Sequence, residues 1–198
     1  MGFREYYRCE VCLLVFMNPN QHLPAEEEKE RYDSHKNNPE DEDYVGFLNR
    51  LVKPLSEYLK PGGRGLDFGC GPGPTISAML DKKGFSVADY DPIYFSNKKL
   101  IEEQYDFITA TEVVEHLYKP REVFQLLDQL LKPNESYLGI MTQVLESEES
   151  FETWWYHNDP THVCFYQKET LEWLGDFMGW KTNFPVDNVV IYEKHFKQ

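Results

Sequence analysis

Residues 65–74 read Gly-Leu-Asp-Phe-Gly-Cys-Gly-Pro-Gly-Pro: a short apolar run holding one aspartate, then three alternating glycines ahead of a helical pattern. Residues without a Cβ reach positive φ at little cost and let the backbone pass close to a ligand. A dinucleotide fingerprint would need Gly-x-Gly-x-x-Gly. Counted from Gly69 the third place holds Pro74, and counted from Gly71 it holds Ile76. Pro72 and Pro74 also lack the amide hydrogens that hold a pyrophosphate. The bend therefore suits a nucleoside ligand without a diphosphate.

Outward from this bend, strands and helices alternate. Before it, Tyr44, Phe47, Leu48, Leu51, Leu55, Tyr58 and Leu59 recur at helical spacing, and Lys60-Pro-Gly-Gly63 ends that helix. After it, the pattern predicts a helix over 75–82, a strand over 85–90 and another over 106–110. A helix with Val123, Leu126, Leu127, Leu130 and Leu131 on one face follows, then a strand over 137–142, a helix over 168–178 and strands over 181–185 and 188–192. Such alternation implies α/β architecture, a mostly parallel sheet with helices on both faces. Upstream, residues 6–18 read as a hairpin with Cys9-x-x-Cys12 at its turn, and 24–35 as a strongly charged helix. The expected domains are a cap over 1–42 and a main domain over 43–198.

The bulk numbers set limits. The chain has 198 residues and a formal net charge of −14, which opposes a polyanion whose affinity comes from Lys and Arg neutralising phosphates. A small-molecule acceptor is expected, and no nucleic acid. No apolar run approaches the roughly 20 residues that span a bilayer, so no membrane association and a cytoplasmic location are expected, with the four cysteines as thiols. A homodimer is compatible with this composition.

The bend resembles motif I of the class I S-adenosylmethionine-dependent methyltransferases. Asp106-Phe-Ile-Thr-Ala-Thr-Glu-Val-Val-Glu-His-Leu117 looks like that family's fourth strand and the segment after it. Leu131-Lys-Pro-Asn-Glu-Ser-Tyr-Leu-Gly-Ile-Met-Thr142 looks like the turn into its fifth strand, and Asp159-Pro-Thr-His-Val163 like a segment that follows in small-molecule members. The resemblance implies a Rossmann-like three-layer sandwich with an antiparallel C-terminal edge and S-adenosylmethionine as the methyl donor. Only thirteen residues lie between Asp91 and Tyr105, where the family fits a helix and a third strand. A turn and a short edge strand are expected there, with no counterpart of the usual adenine-contacting acid.

Ligands of open α/β sheets bind beyond the carboxyl ends of the strands. Asp67, Gly69, Cys70, Gly71 and Gly73 are thus candidate cofactor contacts, with Asp67 holding the loop amides or meeting the cofactor's ammonium. Asp91 lies about twenty residues after the loop, where an acid takes a ribose diol. Asp89 is its competitor, Ile93 is placed against the adenine, and Thr111, just past the fourth strand, is a further candidate cofactor contact.

For catalysis, two clusters stand out. Glu112-x-x-Glu115-His116 follows the fourth strand, and Trp154-Trp-Tyr-His-Asn-Asp-Pro-Thr-His162 follows the fifth. His162 and His157 are candidate general bases, since histidine titrates near working pH, and Glu112 is a third catalytic candidate. Glu112, Glu115, His116 and His162 also resemble the divalent-metal site of some O-methyltransferases. A metal is the disfavoured reading, because the same pattern occurs in metal-free members. Tyr7 to Phe16 looks like half of the zinc ribbon that precedes some sugar C-methyltransferase domains, but a closed zinc site needs four ligands. A hairpin without metal is expected, covering the site's mouth together with the charged helix, with Tyr32, His35 and Asn37 as further contacts. The favoured activity is O-methylation of a small molecule. The alternatives are C-methylation of a nucleotide-linked sugar, or a cofactor-binding partner protein without catalysis.

Overall fold

The computed structural model describes residues 4–34 and 38–195, so the expected contacts of His35 and Asn37 lie outside the described residues. A six-stranded sheet forms its centre. Its strands are β3 (Arg64–Phe68), β4 (Ser86–Tyr90), β5 (Phe107–Thr111), β6 (Ser136–Met141), β8 (Trp180–Val186) and β9 (Val189–Lys194). Their order is β4-β3-β5-β6-β9-β8, with β4, β3, β5 and β6 parallel and the last two antiparallel. This is the expected α/β Rossmann-like sheet with its antiparallel C-terminal edge.

Successive strand residues point to opposite faces, and the core divides accordingly. Phe107, Met141, Val189 and Ile191 pack on one side with α2 (Glu42–Tyr58) and α3 (Ile76–Asp81). Ile108, Ile140, Val190 and Tyr192 pack on the other with α4 (Pro120–Leu130) and α5 (Lys168–Met178). In α2 the spacing of Leu48, Leu51, Val52 and Leu55 puts four buried side chains on one stripe, each worth ~1.5–3 kcal/mol of transfer free energy. The Asp41 carboxylate accepts from the amides of Asp43 and Tyr44 and starts that helix. Gly179 ends α5 in the left-handed region, at φ 73°.

One expectation fails. No edge strand forms after β4. Asp91 and Phe95 exchange backbone hydrogen bonds of 3.2 and 3.0 Å, and a short 3-10 helix, Lys98–Glu102, fills the remaining span. With so few residues available the backbone satisfies its polar groups by folding on itself, so β4 stays at the edge of this sheet.

A second sheet joins the N-terminal hairpin to the main domain. β1 (Tyr6–Arg8) pairs with β2 (Val15–Met17), and β2 pairs with β7 (Cys164–Phe165). Val15, Leu145, Tyr156 and Phe165 form its own buried cluster. Helix α1 (Ala25–Asp33) follows the hairpin and has no buried residue. Among the described residues, no helix is long and apolar enough to cross a membrane.

Candidate active site

A cavity of about 820 Å³ opens at the carboxyl ends of β3, β4 and β5. The bend after β3 forms one wall. Gly69 and Gly71 have φ of 76° and 65°, which only glycine takes without strain. A Cβ on Gly69 would also lie 2.6 Å from the Val113 side chain. Cys70 is buried in this bend and lines the cavity, as do Gly69, Gly71, Asp67 and Thr111. Gly73 does not line it.

The two acids of this wall divide the labour differently from expectation. The buried Asp67 carboxylate accepts from the Thr109 hydroxyl at 2.7 Å, whereas the loop amide is held by Asp91. Asp91 accepts from the amides of Gly71 (3.1 Å), Ile93 (2.8 Å) and Tyr94 (3.0 Å). It thereby ties the tip of β3 to the turn after β4. Asp91 and Ile93 line the cavity, and Asp89 does not. Burial pushes the Asp67 carboxyl up to about 7, with Asp89 and Asp91 adding like-charge repulsion against the Thr109 hydrogen bond.

The opposite wall is made of side chains brought from far apart. Glu112 sits at φ 50°, a backbone conformation rare for a residue with a Cβ, and this turns its carboxyl toward the cavity. The Tyr156 hydroxyl lies 3.2 Å from Glu112 Oε2 and in hydrogen-bond contact with Glu115 Oε1. Glu115 Oε2 accepts from Thr142 at 2.9 Å. Burial raises the pKa of both carboxyls, Glu112 to about 9, and their mutual repulsion adds to the rise at Glu112. One phenol proton cannot serve two carboxylates, so at neutral pH this buried pair holds a proton of its own.

His162 and His116 stand beside it with ring centroids 4.8 Å apart. His162 Nδ1 lies 2.7 Å from the Tyr156 carbonyl, and His116 Nδ1 lies 3.0 Å from the Thr161 carbonyl. A carbonyl only accepts, so each Nδ1 carries the hydrogen, which makes Nε2 of neutral His162 the lone-pair nitrogen. Burial, then the neighbouring His116, lowers the His162 pKa, and Glu115 opposes this only in part. Both imidazoles line the cavity.

His157 is not brought there. Its ring stacks on Phe151 with centroids 5.0 Å apart, and its carbonyl accepts from Arg4. Of the four residues expected around a metal, Glu115, His116 and His162 have ligand atoms within 4.8 Å of one another, and Glu112 is outside that group. The Tyr156 hydroxyl occupies the space between the two glutamates, and both Glu115 oxygens are already hydrogen-bonded. This donor set does not fit a metal bridging the pair. Tyr156 itself carried no signal in the sequence beyond its place in an aromatic run.

Helix α1 closes the mouth. Ala25, Glu26, Glu28, Lys29 and Tyr32 line the cavity from above. Arg31 donates to Asp159 at 2.6 and 2.9 Å, and the Tyr94 hydroxyl donates to Asp33 at 2.6 Å. Burial pushes Asp159 up, but hydrogen bonds from Arg31 and Thr161 hold it well below the usual carboxylate range. The Tyr32 ring meets His116 edge-on, with centroids 5.2 Å apart.

A family profile described as a methyltransferase domain matches residues 40–183. No curated protein sequence matches the chain. Among solved structures, an S-adenosylmethionine-dependent methyltransferase of Methanosarcina mazei superposes with TM-score 0.54 at 14% identity, over 73% of this chain and 98% of that one. One from Archaeoglobus fulgidus gives 0.53 at 20% identity, over 78% and 100%. CalO1, a methyltransferase of calicheamicin biosynthesis in its S-adenosylhomocysteine-bound form, gives 0.55 at 11% identity, over 77% of this chain and 55% of that one. These likenesses concern the fold.

Proposed function

This chain belongs to the class I S-adenosylmethionine-dependent methyltransferases, and we propose that it methylates a hydroxyl group of a small molecule, with His162 as proton acceptor. The observation that carries this reading is the anchored imidazole. Its Nδ1–H is tied to the Tyr156 carbonyl, so a lone pair is held ready in the cavity that the glycine bend also lines.

The residues present suit the donor. The bend, Asp91 and Ile93 offer a channel for the adenosyl part, and Thr111 Oγ1 and Glu112 Oε1 are buried, unpartnered polar atoms at the cavity's edge. Cys70, Gly69 and Gly71 let the backbone lie against the methionine portion, and Asp67 supplies a carboxyl for its ammonium. Gly73 supports the bend from outside the cavity. Bound S-adenosylmethionine contributes an electrophilic methyl on sulfur.

What the chain supplies is alignment, exclusion of water and a place for one proton. The acceptor's O–H donates to His162 Nε2, and the proton passes to the imidazole as the oxygen becomes nucleophilic. Glu115, opposite, favours the imidazolium so formed, since its charge already lowers the cost of protonating His162. Glu112 orients the acceptor, and the protonated carboxyl of the pair lets it donate a hydrogen bond as well as accept one. Residues 1–42 act as the cap of a domain spanning 43–198.

Isotope-labelled methyl donor incubated with the protein and a metabolite extract tests the reading. The transferred carbon should appear in a product with the chemical shift of a methyl ether. Label in a methyl ester, on carbon or on nitrogen, or no label beyond a control lacking protein, overturns it.

A further inference from the structure

Helix α1 poses a question that its packing does not answer. Its sequence, Ala-Glu-Glu-Glu-Lys-Glu-Arg-Tyr-Asp, is polar all round and buries nothing, so no core explains its position. It is held by polar contacts at its far end, Arg31 to Asp159 and Tyr94 to Asp33. Only Glu28 and Tyr32 on this helix are partly shielded, and they stand one turn apart on the same side, toward the cavity. The Tyr32 hydroxyl donates to Glu28 Oε1 at 2.7 Å, and the Tyr118 hydroxyl lies near the same carboxylate. Two oxygens accept about four hydrogen bonds, so Glu28 keeps capacity on its cavity side.

The charge around the cavity is one-sided. Five carboxyl side chains line it (Glu26, Glu28, Asp67, Asp91 and Glu112), and Lys29 is the single ammonium among the lining residues. Lys29 is committed to Asp33 at 2.6 Å. The donor's ammonium belongs at the Asp67 end and its sulfonium at the methyl being transferred, so neither is assigned to Glu26 and Glu28 on the capping helix.

Resting on the hydroxyl-methylation reading, we infer that Glu28 is the specificity-determining residue for an acceptor that carries no phosphate and is neutral or cationic. This acceptor presents at least two hydrogen-bond donors. One is the reacting O–H, given to His162 Nε2. The other is a second hydroxyl or an ammonium, held by Glu28 on the facing wall. A nucleotide-linked sugar fails on both counts, because its diphosphate would meet carboxylates while the one lining ammonium, Lys29, is already paired with Asp33.

The test splits a metabolite extract on an anion exchanger before adding the protein and methyl-labelled donor. Labelled product should arise from the unretained, non-anionic fraction. Product from the anionic fraction alone overturns the inference and leaves methyl transfer standing. No product from either overturns the hydroxyl-methylation reading and this inference together. With the productive fraction, Glu28→Leu should raise KM by about tenfold or more while kcat and S-adenosylhomocysteine affinity stay within about twofold. Glu28→Gln, which keeps one acceptor oxygen, should recover part of that loss. An unchanged KM in Glu28→Leu, with melting temperature and product affinity preserved, removes Glu28 from recognition.

Discussion

At the donor end of the cavity the backbone shapes the wall. Gly69 and Gly71 take conformations that bring the chain itself against the ligand space, and Asp91 ties the Gly71 amide to the neighbouring turn, whose Ile93 and Tyr94 amides it also accepts from. At the acceptor end side chains shape it, and they come from three separated stretches: Glu28 and Tyr32, Glu112 to His116, and Tyr156 to His162. The first arrangement depends on a contiguous strand-loop-helix and a nearby acid. The second depends on the exact packing of a cap and a long post-β6 segment onto a sheet that neither belongs to. A donor common to a whole family can be bound by the first kind of wall, while acceptors can change through the second without disturbing it.

The largest way to separate the ends is His162→Ala. Loss of a positioned base should lower kcat by about 10²–10⁴-fold, read from labelled methyl transfer, while S-adenosylhomocysteine affinity by calorimetry stays within about twofold. If affinity fell in parallel, the two walls would not be independent. Asp91→Ala should act the other way. Losing hydrogen bonds to a charged group should weaken donor binding by ~1.5–3 kcal/mol, and an unchanged Kd would leave Asp91 only its tie to the Gly71 amide. Gly69→Ala should cost about 1–2 kcal/mol of stability for a left-handed residue with a Cβ, besides the crowding at Val113, and should appear as a lower melting temperature.

A subtler test uses protons. Without ligand the Asp67 carboxyl titrates near 7, raised by burial. A cationic donor beside it favours the carboxylate, so binding releases a proton below that pH. Donor affinity should therefore climb as pH rises toward 7 and level off above it, with proton release measurable by calorimetry in two buffers of different ionisation enthalpy. The same raised pKa contributes stability to the empty protein that is present below the ordinary carboxylate range and lost as pH rises through about 7. The smallest effect expected is none at all: dialysis against EDTA should leave the transfer rate unchanged, because both Glu115 oxygens are already taken by the Thr142 and Tyr156 hydroxyls.

The same contrast explains what could be read from the sequence. The sheet and its flanking helices were legible because burial writes itself as spacing: Leu48, Leu51 and Leu55 on α2, or Leu171 and Leu174 on α5. The donor wall was legible because its parts lie within a few residues of Gly69, or about one strand-loop-helix away at Asp91. Even there, spacing leaves Asp67 open to the loop amides or to the cofactor's ammonium and gives no sign that Asp91 holds the Gly71 amide. The absent edge strand was a matter of length, visible as a shortage of residues but not in how the turn resolves it. At the acceptor wall the histidines could be shortlisted but not sorted. Only contacts show that His157 stacks on Phe151 and that His162 faces the cavity. Tyr156, which joins the two glutamates, is one of many aromatic residues in its stretch and had nothing to mark it.

The small sheet formed by β1, β2 and β7 carries a mechanical implication. Val15 pairs with Phe165, and the Met17 amide donates to the Val163 carbonyl at 2.9 Å, one residue from His162. The N-terminal hairpin is thus a splint along β7, which begins two residues after the imidazole. Whatever tugs on the start of the chain, whether a bound protein or a severed peptide bond, would be felt one peptide unit from His162, the proposed proton acceptor.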